Sequence, residues 1–218
     1  MNCDAIAPWY RWLEYGGFGR ALERRREAFL DDVTEARRIL VLGDGDGRAL
    51  AALLRANDQA TIDYVDVSAG MLELARARAG EKRVRYHHAD ALTMPFEDGA
   101  YDLVVTHFFL DCFDDVGQKR LVEHVGNALS PGARWLLSEF RKPGLFVAML
   151  YWFFRITTGL RTRELADHHA LFERKGFRLE RAESARGGRL VSELWVRSPF
   201  EIRSDTCNRD MPKRKMRY

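Results

Sequence analysis

Two groups of residues in this chain have the types and spacing for chemistry. The first is Gly43-Asp44-Gly45-Asp46-Gly47, three glycines at every second residue directly after the apolar run Ile39-Leu40-Val41-Leu42. Without Cβ atoms, a turn at a strand end lets a ligand lie against the backbone, and the next helix aims its N-terminus at that ligand. Asp66 closes the run Thr61–Asp66 about 20 residues further on, the spacing of a ribose-binding carboxylate in a βαβ unit. The second group follows the run Tyr101–His107, in Thr106-His107-Phe108-Phe109-Leu110-Asp111-Cys112-Phe113. His107, of a residue type whose ordinary pKa is near 6.5, is a candidate for taking a proton from a hydroxyl or an activated carbon. Asp111 is placed to orient it, to act as base, or to bind a substrate hydroxyl. His169, in Asp167-His168-His169, is a further candidate base. Adjacent residues of a helix point to different faces, so at most one of the two histidines is expected to enter the pocket. With no third ligand evident, no metal is expected.

The elements that must position these groups alternate. Strand readings at Arg38–Leu42, Thr61–Asp66, 83–88 and Tyr101–His107 are separated by helical patterns at 49–56 and from Met71 onward, with Ser68 as the cap of the latter. Leu129-Ser130-Pro131-Gly132 reads as a turn before a fifth strand, and 177–183 with 190–196 as a hairpin around Gly187-Gly188. This predicts an α/β domain with a mostly parallel sheet covered on both faces. A dinucleotide site needs G-x-G-x-x-G, yet Arg48 stands at the third glycine's place, and Asp44 and Asp46 would repel a pyrophosphate. The two acids favour a ligand that carries positive charge.

Together these stretches resemble the class I S-adenosylmethionine-dependent methyltransferases, small-molecule type, nearest to the ubiquinone/menaquinone group. The resemblance runs from Ile39 to Glu139: the glycine-rich first motif; Asp66-Val67-Ser68-Ala69-Gly70-Met71-Leu72; Asp90-Ala91; Met94-Pro95-Phe96 before the fourth strand; and Leu129-Ser130-Pro131-Gly132. It implies a Rossmann-like seven-stranded sheet with an antiparallel last strand. It also implies S-adenosylmethionine held by Gly43, Asp44, Gly45, Gly47, Asp66, Val67, Met71, Asp90, Ala91 and Thr106, with the ribose on Asp66 and the adenine amine on Asp90. One departure is Val41, where the family has an acid two residues before the first glycine. Its role is expected to pass to Asp44 or Asp46 or to the N-terminal segment, with Arg20, Arg24, Arg25 and Arg26 as candidates for the cofactor carboxylate. The absence of an Asn-Pro-Pro-Tyr tetrad after strand four disfavours methylation of nucleic-acid bases. The alternatives are an NAD-dependent oxidoreductase and a non-catalytic binding module of the same fold.

The chain has 218 residues with 35 basic and 32 acidic side chains, a balance that argues against specific nucleic-acid binding. Cys3, Cys112 and Cys207 form neither a disulfide framework nor a metal-ligand pattern. The N-terminus shows no basic-then-apolar leader, from which a cytoplasmic location is expected. Residues 1–36 read as a helical lid segment, with Tyr10 its leading contact to the cofactor. Residues 37–198 form the cofactor-binding domain, with a helical insertion at about 143–173, and 199–218 a flexible basic tail. The apolar run Leu145–Phe154 is shorter than the roughly 20 residues needed to cross a bilayer. It suits a roof over a small lipophilic or aromatic methyl acceptor, or a peripheral membrane contact.

Overall fold

The computed structural model describes residues 20–141 and 168–198. Tyr10, most of the lid segment, the greater part of the insertion including Leu145–Phe154, and the tail lie outside the described residues. The element order is α1 (Ala21–Arg26), β1 (Arg38–Leu42), α2 (Arg48–Ala56), β2 (Thr61–Asp66), α3 (Ala69–Ala79), β3 (Val84–His88), β4 (Tyr101–His107), α4 (Asp115–Ala128), β5 (Leu129–Phe140), α5 (His168–Arg174), β6 (Phe177–Ala185) and β7 (Leu190–Arg197). They build one seven-stranded sheet ordered β3-β2-β1-β4-β5-β7-β6. All neighbours are parallel except β7, which runs antiparallel to both β5 and β6.

Side chains alternate across a strand, so β1 divides its apolar residues between two cores. Leu40 and Leu42 pack with Val104, Trp135, Leu137 and Trp195 under α4 and α5. Ile39 and Val41 pack with Ile62, Tyr64, Leu103 and Val105 under α2, α3 and the segment around Phe29. A sheet buried on both faces in this way reads as continuous apolar runs, which is why the strands are visible in the sequence. Val41 is a core residue, and an acid there would be buried in that second apolar layer.

The sequence reading of a turn at 129–132 needs correction, because β5 takes in those residues. Pro131 and Gly132 are tolerated where the ladder to β4 slips, between the pairs Tyr101↔Leu129 and Leu103↔Arg134. Strand order reverses between β1 and β4, so the carboxyl ends of these two strands open the crevice where such sheets bind ligands.

Candidate cofactor and acceptor site

The glycine turn leaves β1 with φ of 61° at Gly43, 68° at Gly45 and 77° at Gly47, a region that disfavours L side chains. A Cβ on Gly47 would stand 2.7 Å from Ala75 Cα, so this glycine lets α2 lie against α3. At Gly43 the Phe109 ring fills the space a side chain would take. The Tyr64 hydroxyl donates to the Gly45 carbonyl at 2.7 Å and braces the turn from β2.

The two turn acids do different jobs. Asp46 is neutralised by Arg48 and Arg78, each 2.9 Å away. Asp44 accepts the Leu50 N–H through Oδ2 at 3.0 Å, while its buried Oδ1 has no hydrogen-bond partner among the described residues. Burial drives its pKa up to about 7, against the opposing pull of the Arg26 charge and the Leu50 amide. Asp44 thus places a carboxylate at the N-terminus of α2, where a dinucleotide would place its pyrophosphate.

At the end of β2, Asp66 accepts the Ser68 N–H at 2.9 Å, and Ser68 in turn caps α3 by accepting from Met71 N–H at 3.2 Å. The cap of α3 is therefore Ser68, as the sequence indicates, and Asp66 is a separate residue. Met71 and Ala91 are buried and Val67 is half-buried beside them. Asp90 is exposed and accepts the Leu92 N–H at 2.9 Å, shaping the turn after β3. Thr106 is a correction. Its side chain lies on the α4/α5 face of β4, where its hydroxyl accepts from Trp135 Nε1 at 2.9 Å inside the core, so it offers the ligand no side-chain contact.

The candidate bases divide between the two faces of the sheet. His107 faces α1: its Nδ1 lies 3.0 Å from Ser138 Oγ, and its buried Nε2 has no hydrogen-bond partner. Burial, and next the Arg26 charge, push its pKa down to about 3, so it stays neutral near pH 7. Of the four arginines singled out, Arg26 is the one fully buried here, its charge acting on both Asp44 and His107 and its guanidinium 5.2 Å from the Phe108 ring centre. Asp111 is not the helix cap, a role taken by Asp114, which accepts from Gly117 N–H at 2.8 Å. Instead Asp111 faces Glu139, a buried acid at the end of β5. Glu139 Oε1 accepts the Phe109 and Leu110 amides at 3.2 and 2.9 Å, the Asp111 amide also acts on the carboxyl group, and the buried Oε2 has no strict hydrogen bond among the described residues. Burial, and then repulsion from Asp111, hold its pKa well above the carboxylate range.

His168 and His169, expected to point to different faces of the helix, both turn toward one carboxylate. Their Nε2 atoms lie 2.9 Å from Glu193 Oε2 and 2.7 Å from Glu193 Oε1. Sequence reasoning missed Glu139 and Glu193. Each carried a signal, an acid on an otherwise apolar strand, at the end of β5 and in the middle of β7.

Fit to the cofactor that the motifs imply turns on Asp44 Oδ1. A buried carboxylate oxygen lacking a donor, beside three glycines and across from Asp66, suits a ligand with an ammonium group at one end and a ribose at the other. Among known proteins, residues 39–132 match the family model described as a methyltransferase domain. The chain is 39% identical over 107 residues to a demethylmenaquinone methyltransferase of Clavibacter sepedonicus, covering 49% of this chain and 42% of that one. It is 37% identical over 142 residues to a demethylmenaquinone methyltransferase of Thermus thermophilus, covering 63% and 64%. Thus it spans less than two thirds of either relative. The fold is shared with mitomycin 7-O-methyltransferase, at a TM-score of 0.66 and 20% identity over 89% of this chain and 60% of that one. It is shared too with an S-adenosylmethionine-dependent methyltransferase from Mesorhizobium loti, at 0.63 and 21% identity over 85% and 100%. Sheet order, glycine turn and sequence match agree on a methyltransferase domain over residues 39–132, similar to the class I S-adenosylmethionine-dependent enzymes, with S-adenosylmethionine as its cofactor.

Proposed function

We propose that this protein transfers a methyl group from S-adenosylmethionine to a carbon or oxygen of a small aromatic acceptor of the hydroquinone type. The observation that carries the cofactor half is the buried, undonated Asp44 Oδ1 at the glycine turn. When bound, S-adenosylmethionine supplies a methyl already activated on a sulfonium. Asp44 pairs with its ammonium group, in place of the acid that Val41 lacks. Arg26 faces the cofactor carboxylate, and Asp66 holds the ribose hydroxyls by charge-assisted bonds. The chain's remaining task is to align the acceptor and take its proton.

Two features support the acceptor class. The curated relatives are named for demethylmenaquinone. In addition, Phe108 and Phe140 have ring centres 4.9 Å apart, and Phe109 and Phe113 5.1 Å apart, around the carboxyl ends of β4 and β5. Asp111 is the proposed base. Burial, and then the Asp111 charge, favour the protonated form of Glu139, and Asp111 is placed to take the acceptor's proton. His107, held neutral, accepts a hydrogen bond through Nε2 without carrying charge. His169 turns Nε2 to Glu193, so a role in proton transfer there would fall to Nδ1.

Titration calorimetry with S-adenosylmethionine, S-adenosylhomocysteine and NAD tests the cofactor. Binding of the first two and silence with NAD is expected, and preference for NAD overturns the reading. Methylation of a demethylmenaquinol analogue, with product located on carbon or oxygen by mass spectrometry, tests the acceptor. Cofactor binding with no turnover on quinols or phenols would refute the acceptor class and favour a binding module.

A further inference from the structure

Glu193 is fully buried in the middle of β7, opposite Leu137 of β5 and Ala182 of β6. A carboxylate in such a place needs several partners, and it has them. Trp195 Nε1 donates to Oε2 at 3.0 Å, His168 Nε2 lies 2.9 Å from the same oxygen, and His169 Nε2 lies 2.7 Å from Oε1. The ligating atoms of His168, His169 and Glu193 all fall within 4.8 Å of one another, the one such group of three among the described residues.

One contact in this cluster conflicts with the others. Arg141 Nη2 stands 2.5 Å from His169 Nε2 and 3.1 Å from Glu193 Oε1. A guanidinium only donates. If His169 Nε2 carries a proton, two N–H donors oppose each other. If it is bare, its lone pair faces a carboxylate lone pair at 2.7 Å. No tautomer serves both neighbours. A divalent cation in the proton's place accepts the lone pairs of Nε2 and Oε1 together, once Arg141 withdraws. Its side chain is 46% exposed and has solvent to withdraw into.

Two imidazoles and one carboxylate are the donor set of three-ligand zinc centres that keep a fourth position open. Zinc bonds of about 2.0–2.2 Å place tetrahedral ligands about 3.3–3.6 Å apart, so the 2.7 and 2.9 Å contacts here must open by roughly 0.4–0.9 Å to admit the ion. Trp195 N–H then serves as the outer hydrogen bond that orients the carboxylate. The side chain of His169, 25% exposed, marks the open side.

We propose that His168, His169 and Glu193 form a binding site for a zinc-type divalent cation, and that Arg141 is the internal cation that occupies it in the metal-free protein. The site draws nothing from the methyl-transfer reading. Calorimetry of the full-length, chelator-stripped protein with Zn2+, and with Mg2+ as the hard-cation comparison, tests it. One equivalent of Zn2+ bound and no response to Mg2+ is expected. H169A and E193Q should each weaken zinc binding by about tenfold or more, and R141A should tighten it by about tenfold. A purely structural network predicts the reverse for R141A, which would then lose stability and gain no metal. Absence of zinc binding in both wild type and R141A overturns the proposal, as does zinc binding unchanged by H169A and E193Q. If E193Q fails to fold, by circular dichroism and loss of S-adenosylmethionine binding, H169A and R141A decide alone. Parallel cofactor titrations keep failure of this site distinct from failure of the methyl-donor site.

Discussion

Asp44 and Glu193 are both buried carboxylates near one end of the same sheet, and they are treated in opposite ways. Asp44, at the glycine turn, receives one backbone N–H and leaves an oxygen without a donor, so burial lifts its pKa to about 7. At Glu193 burial pushes the same way, but the hydrogen bonds and charges of His168 and His169 outweigh it and hold the pKa at about 2. An acid left short of donors is built to receive something from outside the chain, whereas an acid saturated with donors from three elements holds those elements together. The difference separates the proposed ligand end of the molecule, at β1 and β2, from an assembly end at β5, β7 and α5.

The largest expected effect breaks the assembly end. Glu193→Ala strands His168, His169 and the Trp195 N–H in a buried site and should cost about 3–5 kcal/mol, read by urea denaturation. A loss under about 1 kcal/mol would remove the contrast, since Glu193 would then be no anchor.

Next comes pH, where the two acids predict opposite slopes. Between about pH 4 and 7 the folded state holds a proton on Asp44 that the unfolded chain has released, so stability falls as pH rises through this window. Glu193 is the reverse: its contribution is present above the ordinary glutamate pKa and is lost as pH falls toward 2. The Asp44 arm is about 4 kcal/mol and the Glu193 arm about 3 kcal/mol, because every tenfold difference in proton affinity between folded and unfolded chain is worth about 1.4 kcal/mol. With chelator present throughout, Asp44→Asn should flatten the first arm and Glu193→Gln the second. If Asp44→Asn leaves the upper arm intact, its carboxylate is solvated and the ligand end is misassigned. Cofactor binding should also strengthen as pH rises through about 7, as Asp44 ionises, and the variant should lose that dependence.

The ligand end was legible in the sequence because its parts are local. A turn of three glycines follows a buried strand directly, and Ser68 and Asp66 sit two residues apart with separate roles. The assembly end was not, because Glu193 meets His168 across 25 residues and Arg141 across 52, contacts that only the antiparallel return of β7 creates. The same locality misled at Thr106. Its position at the carboxyl end of β4 suggested a ligand contact, but strand parity sends its hydroxyl to Trp135. Strand parity likewise separates His107 from the Asp111–Glu139 pair, although His107 and Asp111 are near neighbours in sequence.

At the ligand end, Asp66→Ala should weaken S-adenosylmethionine binding by about 1–3 kcal/mol without a matching loss of stability. Its carboxylate makes a local bond to the Ser68 amide, whereas the proposed contacts to the ribose appear only in the complex. Calorimetry and denaturation on the same variant separate the two costs. Equal losses in both would make Asp66 a structural residue and draw the ligand end closer to the assembly end.

The smallest effect belongs to the seam between the two ends. Ser138 donates to the Arg25 carbonyl at 2.8 Å and lies 3.0 Å from both His107 Nδ1 and Ser192 Oγ, joining β4, β5, β7 and α1. Because Ser138 commits its single proton to Arg25, the Nδ1 of His107 is the protonated nitrogen and Nε2 carries the lone pair. Ser138→Ala should cost about 1 kcal/mol, the worth of an ordinary hydrogen bond. His107 should still titrate near 3 in the variant, followed by its imidazole proton resonances, because burial and the Arg26 charge set that value. Titration moving up toward 6.5 would show that the serine network keeps His107 neutral. His107 would then regain the role of a base at neutral pH, and proton transfer would move from the Asp111 side of the sheet to the face that carries Arg26.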